Sequence, residues 1–190
     1  MQLKVPFLSE YYLSDGKKTL YMGLGNDKNR SIKIRKPLIE DGNPIYHLVK
    51  KCTPLDINSL YSYLLICTHF NQTSVVTELN NNIIGYISAY INPHQKKTLF
   101  IWQVAVHPGM RGKGLATRMI MDILKREETK SVEFIETTVT PSNKASMSLF
   151  AKIASQMDTD LQKFPFLTSD LFGKSNHEEE LLLRIGPLTK

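Results

Sequence analysis

The residues best placed to do chemistry gather in "HPGMRGKGLATR", where Arg111, Gly112, Lys113 and Gly114 are followed by Leu115 and Ala116. The stretch before them, "TLFIWQVAVH", is rich in β-formers, and Pro108 stops it. After them Leu115, Met119 and Ile123, with Ile120 and Leu124 beside them, recur at helical spacing. A strand-to-helix junction of this composition suits an anion. The first helical turn offers unpaired backbone N–H groups at the positive end of the helix dipole. Gly112 and Gly114 let an oxygen approach the backbone, Arg111 and Lys113 add charge, and Ala116 keeps the turn small. The alternative is a tight turn with cations on a solvated surface. Two common phosphate loops do not fit. Gly109 and Gly114 have the nucleoside-triphosphate spacing, but Leu115 and Ala116 follow them, and Thr117 stands where a dinucleotide fingerprint needs its third glycine.

The elements that must position this junction can be read on either side. "SIKIRKP" alternates as a short strand. "NPIYHLVKKC" reads as a helix, with Asn43 as its cap and Pro44 in its first turn. "INSLYSYLLICTHF" reads as a second helix, and "TSVVTEL", "NNN" and "IIGYISAYI" as a hairpin. After the junction helix, "SVEFIETTVT" is a strand. A helix follows in "TPSNKASMSLFAKIASQM", with Thr140 as cap, Pro141 in its first position, and Ala145, Leu149, Ile153 and Met157 as its apolar face. "EEELLLRIGPL" closes as a strand. The order predicts an α/β fold, a mixed central β-sheet flanked by helices, over residues 31–190. Residues 1–30 carry turn residues and charge with little periodicity, and are read as an N-terminal extension of unknown role.

The chain has 190 residues, 42% hydrophobic and 22% charged, as expected of a globular domain able to bury its own core. No apolar run reaches the ~18 residues of a membrane span, and the N-terminus lacks signal-peptide features. Cys52 and Cys67 show neither metal nor redox spacing, so free thiols and a cytoplasmic location are expected. The net charge of +6 is spread rather than blocked. One anion site on a solvated surface accounts for it without a nucleic-acid partner.

Arg111, Gly114 and Ala116 form Arg-x-x-Gly-x-Ala after "VAVHP". This resembles the acetyl-CoA pyrophosphate site of the GCN5-related N-acetyltransferases (GNATs). The resemblance implies the GNAT acyl-CoA N-acyltransferase fold, in which the preceding strand bulges and splays from its parallel neighbour. The pantetheine arm pairs there with the strand backbone, supplied here by Val104 and Val106. "NKASMSLFAKIA" resembles the helix that follows in that superfamily, placing Asn143 at a cofactor contact. Where many relatives carry a Tyr to protonate the leaving thiolate, this chain has Phe150.

A narrower resemblance is to the L-2,4-diaminobutyrate acetyltransferases of ectoine synthesis. It is carried by "CTPLDINSLYSYLLICTHF", "TSVV", "LFIWQVAVHPGMRGKGLA", "ETTVTPSNKAS" and "HEEELLLRIGPL" over residues 32–190. It implies acetyl transfer from acetyl-CoA to the 4-amino group of a small diamino acid, and a homodimer. An aliphatic ammonium titrates near pH ~10, so its proton must be removed, and the oxyanion needs a donor, here backbone N–H near Val104. Asp56 is placed to hold an ammonium, or else caps the helix starting at Ile57. Tyr61 can add a hydroxyl. Trp102, the only tryptophan, is a wall to the amine or a core residue, and is expected on the same side of its strand as Val104. Glu136, inside an apolar strand, is a candidate base or the partner of a cation. His177, Glu178 and Glu180 open the last strand as substrate contacts or as a solvated entrance. "HEEE" lacks the second His of a zinc motif, so no metal is expected.

Overall fold

The computed structural model describes Tyr11–Tyr12, Lys18–Thr19 and residues 32–173 and 177–188. The chain divides into two units, Met1–Arg30 and Ser31–Lys190. In the first, β1 (Tyr11–Tyr12) pairs antiparallel with β2 (Lys18–Thr19); the rest of the extension lies outside the described residues.

The second unit is a seven-stranded sheet in the order β3-β4-β5-β6-β7-β9-β8. Its strands are β3 (Lys33–Arg35), β4 (Val75–Leu79), β5 (Asn82–Ile91), β6 (Thr98–Val106), β7 (Phe134–Val139), β8 (Leu161–Leu167) and β9 (Glu180–Ile185). Among the described residues, β6 and β7 are the only neighbouring strands that pair parallel, with α3 (Leu115–Leu124) between them in the chain, as a parallel crossover requires. Asn80 and Asn81, at φ 50° and 61°, make the two-residue turn between β4 and β5. Two positive φ values suit a hairpin whose strands twist right-handedly.

Period-two alternation sends neighbouring residues to opposite faces. Val76, Tyr86 and Ala105 meet α1 (Gly42–Lys50) and α2 (Leu60–His69) through Ile45, Val49, Tyr63 and Ile66. Val75, Ile87, Ile101 and Ile135 meet Met119, Ile120 and Ile123 of α3 on the other face, with Phe150 and Ile153 of α4 (Lys144–Gln156) in the same cluster.

Several local expectations are corrected. Asn43 does not cap α1, which grows from a 3-10 turn over Ile39–Asp41 and is already helical at Gly42. Asp41 instead accepts from Leu38 N–H and the Arg35 guanidinium. Thr140 does not cap α4: Asn143 does, its Oδ1 accepting from Ser146 N–H at 3.0 Å. Of the expected apolar face, Ile153 is buried and Leu149 and Met157 pack against the core, while Ala145 is exposed; Phe150 and Ala154 are buried as well. Strand β8 was not expected from the sequence. Its "LQKFPFL" contains Pro165 and exposed side chains, which the sheet tolerates because β8 is an edge.

Two irregularities shape the functional region. The β6–β7 ladder runs from Thr98↔Phe134 to Ile101↔Thr137 and stops, although the strands continue to Val106 and Val139. The β5–β6 register shifts between Ser88 and Ala89, so that Gln103 and Ile101 face them and Trp102 is extra. This is a β-bulge.

Candidate active site

The bulge and the broken ladder together leave one stretch of β6 backbone open. His107 N–H donates to Ile84 O at 2.9 Å, which makes that rung a hydrogen-bonded pair. Antiparallel rungs alternate, so Ala105 and Gln103 also address β5 while Val104 and Val106 turn their N–H and C=O toward the gap beside β7. The Val106 carbonyl accepts from Arg111 Nε at 3.2 Å and from Cys52 Sγ at 3.4 Å. Arg111 thereby stands at the end of the gap.

The chain then turns through Gly112 and Gly114, at φ 74° and 71°. A Cβ at either would meet nothing within 4 Å, so these glycines serve backbone conformation and open approach, not close packing. Gly114 is the N-cap of α3 and no side chain caps that end. The N–H groups of the first turn, at Leu115 and Ala116, therefore face outward beside the exposed Arg111 and Lys113. Lys113 Nζ rests on Gly109 O at 3.2 Å, within its own loop. These residues fit a pantetheine pyrophosphate: unpaired strand backbone for the amides, open helix N–H groups and two cations for the phosphates. Asn143 spends its carbonyl oxygen on capping α4, leaving its amide NH₂ as the group a cofactor can meet.

A second group forms on the face of the sheet bearing α1 and α2, beyond their cover. A cleft of about 270 Å³ is lined by Tyr90, Phe100, Trp102, Thr138, Phe166 and Leu167. Trp102 and Thr138 are each one residue past the last β6–β7 rung, so the cleft opens where the gap begins. Trp102 is 51% exposed, which removes the core reading. The bulge also separates it from Val104, which packs against the core under α3 and α4, so the expectation that the two share a face is corrected.

His177 Nε2 stands 3.9 Å from Asp56 Oδ2 and 3.8 Å from Glu180 Oε1. Its ring stacks on Phe172 with centroids 4.0 Å apart, and its Nδ1 is 2.7 Å from Glu178 O. Asp56 does not cap α2; Ser59 does, accepting from Ser62 N–H. The Asp56 carboxylate is free for a ligand. Burial holds the Glu180 carboxyl above the usual range; His177 and a Thr138 hydrogen bond oppose this, and Asp56 and Glu178 add to it. Glu180 Oε2 is buried with no hydrogen-bond partner among the described residues.

The remaining expected residues fall elsewhere. Glu178 binds Ser142 N–H and Oγ and does not join the cluster. The strand begins only at Glu180, so alternation does not carry back to Glu178. Tyr61 is 68% exposed on the first turn of α2. Glu136 is buried opposite Arg184 on β9, and its Oε1 accepts from Arg184 Nη1, which is the ion-pair reading. Residues that the sequence did not single out are Gln103, Tyr63, Tyr90 and Thr138. A lone amide beside the lone tryptophan was the one signal available for Gln103. Among the described residues, no group of three His, Cys, Asp or Glu side chains is arranged to hold a metal ion.

A splayed parallel pair leading into an uncapped, glycine-rich helix N-terminus defines a site for a long phosphorylated cofactor. Residues 43–154 match the acetyltransferase (GNAT) family, and the chain belongs to that family. It is 44% identical over 160 residues to the L-2,4-diaminobutyric acid acetyltransferase of Marinococcus halophilus, covering 84% of this chain and 92% of that one. It is 46% identical to the enzyme of the same name from Oceanobacillus iheyensis, over 83% and 89% of the two chains. A diaminobutyrate acetyltransferase from Paenibacillus lautus, solved with L-2,4-diaminobutyric acid and coenzyme A, superposes with a TM-score of 0.82 at 35% identity, covering 85% of this chain and 98% of that one. Within the GNAT family, this chain belongs with the diaminobutyrate acetyltransferases.

Proposed function

We propose that this protein transfers acetyl from acetyl-CoA to the 4-amino group of L-2,4-diaminobutyrate, giving N4-acetyl-L-2,4-diaminobutyrate in ectoine biosynthesis, within the response to osmotic stress. The observation that carries the reading is His177 standing between the Asp56 and Glu180 carboxylates, with Glu180 bonded to Thr138, which lines the same cleft as Trp102. A diamino acid brings two ammonium groups and one carboxylate, and this cluster has a partner for each. The exposed Asp56 holds the ammonium that does not react, a ring N–H of His177 meets the carboxylate, and Trp102 walls the reacting carbon chain. Glu180, beside Thr138 where the gap opens, takes the proton from the reacting amine.

Acetyl-CoA supplies the activated thioester carbonyl. Arg111, Lys113 and the open N–H groups from Gly112 to Ala116 hold its phosphates, and Val104 and Val106 pair with its arm. A β6 N–H facing the gap near Val104 is the oxyanion donor. Attack is direct. Cys52 touches β6, but its thiol is 1% exposed and bonded to Val106 O, and burial pushes its pKa up, against a smaller lowering by Arg111. Phe150 is 2% exposed in the core and has no proton to give, so the thiolate leaves unprotonated or takes its proton from water.

We further read the protein as a cytoplasmic homodimer. Two free cysteines agree with a reducing compartment. Phe164 and Phe166 are exposed on the edge strand β8, a surface suited to a second copy. Among the described residues, no helix is long and apolar enough to cross a membrane. The test is thiol release from acetyl-CoA with diaminobutyrate, diaminopropionate, ornithine, lysine and a short peptide as acceptors. A marked preference for diaminobutyrate is expected. Preference for another amine would overturn the acceptor. Tight acetyl-CoA binding without thiol release would make the protein an acyl-CoA sensor.

A further inference from the structure

Asp56 lies in a segment without regular secondary structure, between the end of α1 and the start of α2. Its side chain is 89% exposed, so packing around the carboxylate does not fix it. What fixes it is the backbone beneath. Gln103 Nε2 donates to Asp56 O at 2.8 Å. Gln103 Oε1 accepts from Tyr63 Oη at 3.3 Å, and Tyr63 Oη accepts from Asn58 N–H at 3.3 Å. Gln103 is 8% exposed and Tyr63 fully buried, so the middle of this short network rests in the core and both its ends reach the Asp56–Asn58 loop.

The bulge explains how β6 does this. Trp102 is the extra residue in the β5–β6 register, and Gln103 follows it on the rung facing Ser88. Trp102 therefore reaches the cleft while Gln103, the next residue, passes under the Asp56 loop.

We propose that Gln103 is a positioning residue for the acceptor, holding the Asp56 loop in register with Trp102 through the Asp56 carbonyl. The proposal rests on the diaminobutyrate reading above. Gln103 touches no reacting atom; it acts through Asp56. Loss of its amide releases the loop and leaves the Asp56 carbonyl and the Tyr63 hydroxyl without their partner.

The experiment uses the full chain and steady-state kinetics with both substrates varied. Gln103→Met keeps volume and removes the hydrogen bonds. Its KM for diaminobutyrate is expected to rise about tenfold, the scale of one buried hydrogen bond to a loop, with the KM for acetyl-CoA unchanged. Tyr63→Phe, which leaves the packing intact, should move the same parameter in the same direction, by less. In an Asp56→Asn background, Gln103→Met should add nothing, because the two act as one unit. Additive losses would overturn the proposal. So would a fall in thermal stability with both KM values unchanged, or equal rises in the two. Wild-type protein inert toward diaminobutyrate but active on another amine would overturn the acceptor reading, and this one with it.

Discussion

His177 Nε2 lies between two carboxylates, 3.9 Å from Asp56 and 3.8 Å from Glu180. One carboxylate is in a loop before α2 and the other on β9, so the imidazole joins these two parts of the chain. Phe172, stacked on the other side of the ring, holds it there. The two acids differ in environment: the Asp56 side chain is 89% exposed and that of Glu180 17%. That difference underlies the roles proposed for them, Asp56 holding charge and Glu180 taking a proton.

Asp56→Asn keeps the shape and removes the charge. A charge-assisted hydrogen bond to an ammonium is worth about 1.5–3 kcal/mol, so kcat/KM for diaminobutyrate should fall roughly 10- to 100-fold. Affinity for acetyl-CoA, measured by calorimetry, should stay the same. Equal loss of both would return Asp56 to a purely structural role.

Glu180 sets a pH dependence whose sign follows from burial. Its carboxyl titrates above the usual glutamate range, first through desolvation. Between that range and the raised value, the folded protein keeps a proton that the unfolded chain has lost. Stability therefore falls as pH rises through this window. Glu180→Gln cannot titrate and should remove that slope from the curve of Tm against pH. It should also cost about 10²–10⁴-fold in kcat and abolish the acidic limb of the rate profile. An unchanged acidic limb would place the base elsewhere.

The buried Glu136 and the half-buried Arg184 pair across β7 and β9, and Arg184 also lies 4.0 Å over the Phe134 ring. Arg184→Met strands the Glu136 carboxylate in the sheet and should destabilise the protein by about 3–5 kcal/mol in chemical denaturation. Adding Glu136→Leu should recover most of the loss. Glu136→Gln should keep kcat within a few-fold at neutral pH. A collapse of kcat in that variant, with Tm intact, would make Glu136 the base.

Gly114 joins conformation to binding. At φ 71°, an alanine there is strained by about 1–2 kcal/mol, a fall of roughly 2–8 °C in Tm for a chain of this size. Its methyl group would also stand in the open approach to the first turn of α3. Acetyl-CoA affinity should fall with it, in a binding titration performed well below the shifted Tm. Full affinity would show that no phosphate comes close to this turn.

The strand–helix junction proposed to hold the cofactor was legible because it is local. Arg111 to Ala116 are contiguous, and the change from strand-like to helical pattern marks the junction without reference to the rest of the chain. The splay was legible through resemblance, since no composition rule says where two parallel strands stop pairing. The acceptor half was different in kind. Asp56, His177 and Glu180 come together only when the loop before α2 and the entrance to β9 are both placed, so spacing alone left each with a duller alternative. Strict alternation gives Trp102 the face of Val104, and a bulge breaks that rule without a readable residue signature. Gln103 was invisible for the same reason. Strand β8 was missed because Pro165 argues against a strand until the segment is known to be an edge. Asn143 carried one signal with two meanings, and the structure shows the cap.

The central claim is the transfer of acetyl to one amine of one acceptor. Two-dimensional NMR of the product formed from acetyl-CoA and L-2,4-diaminobutyrate tests it most directly. The account predicts a single product in which the new amide proton couples to the C4 methylene. Acetyl on the 2-amino group, or a mixture of the two positions, would contradict it.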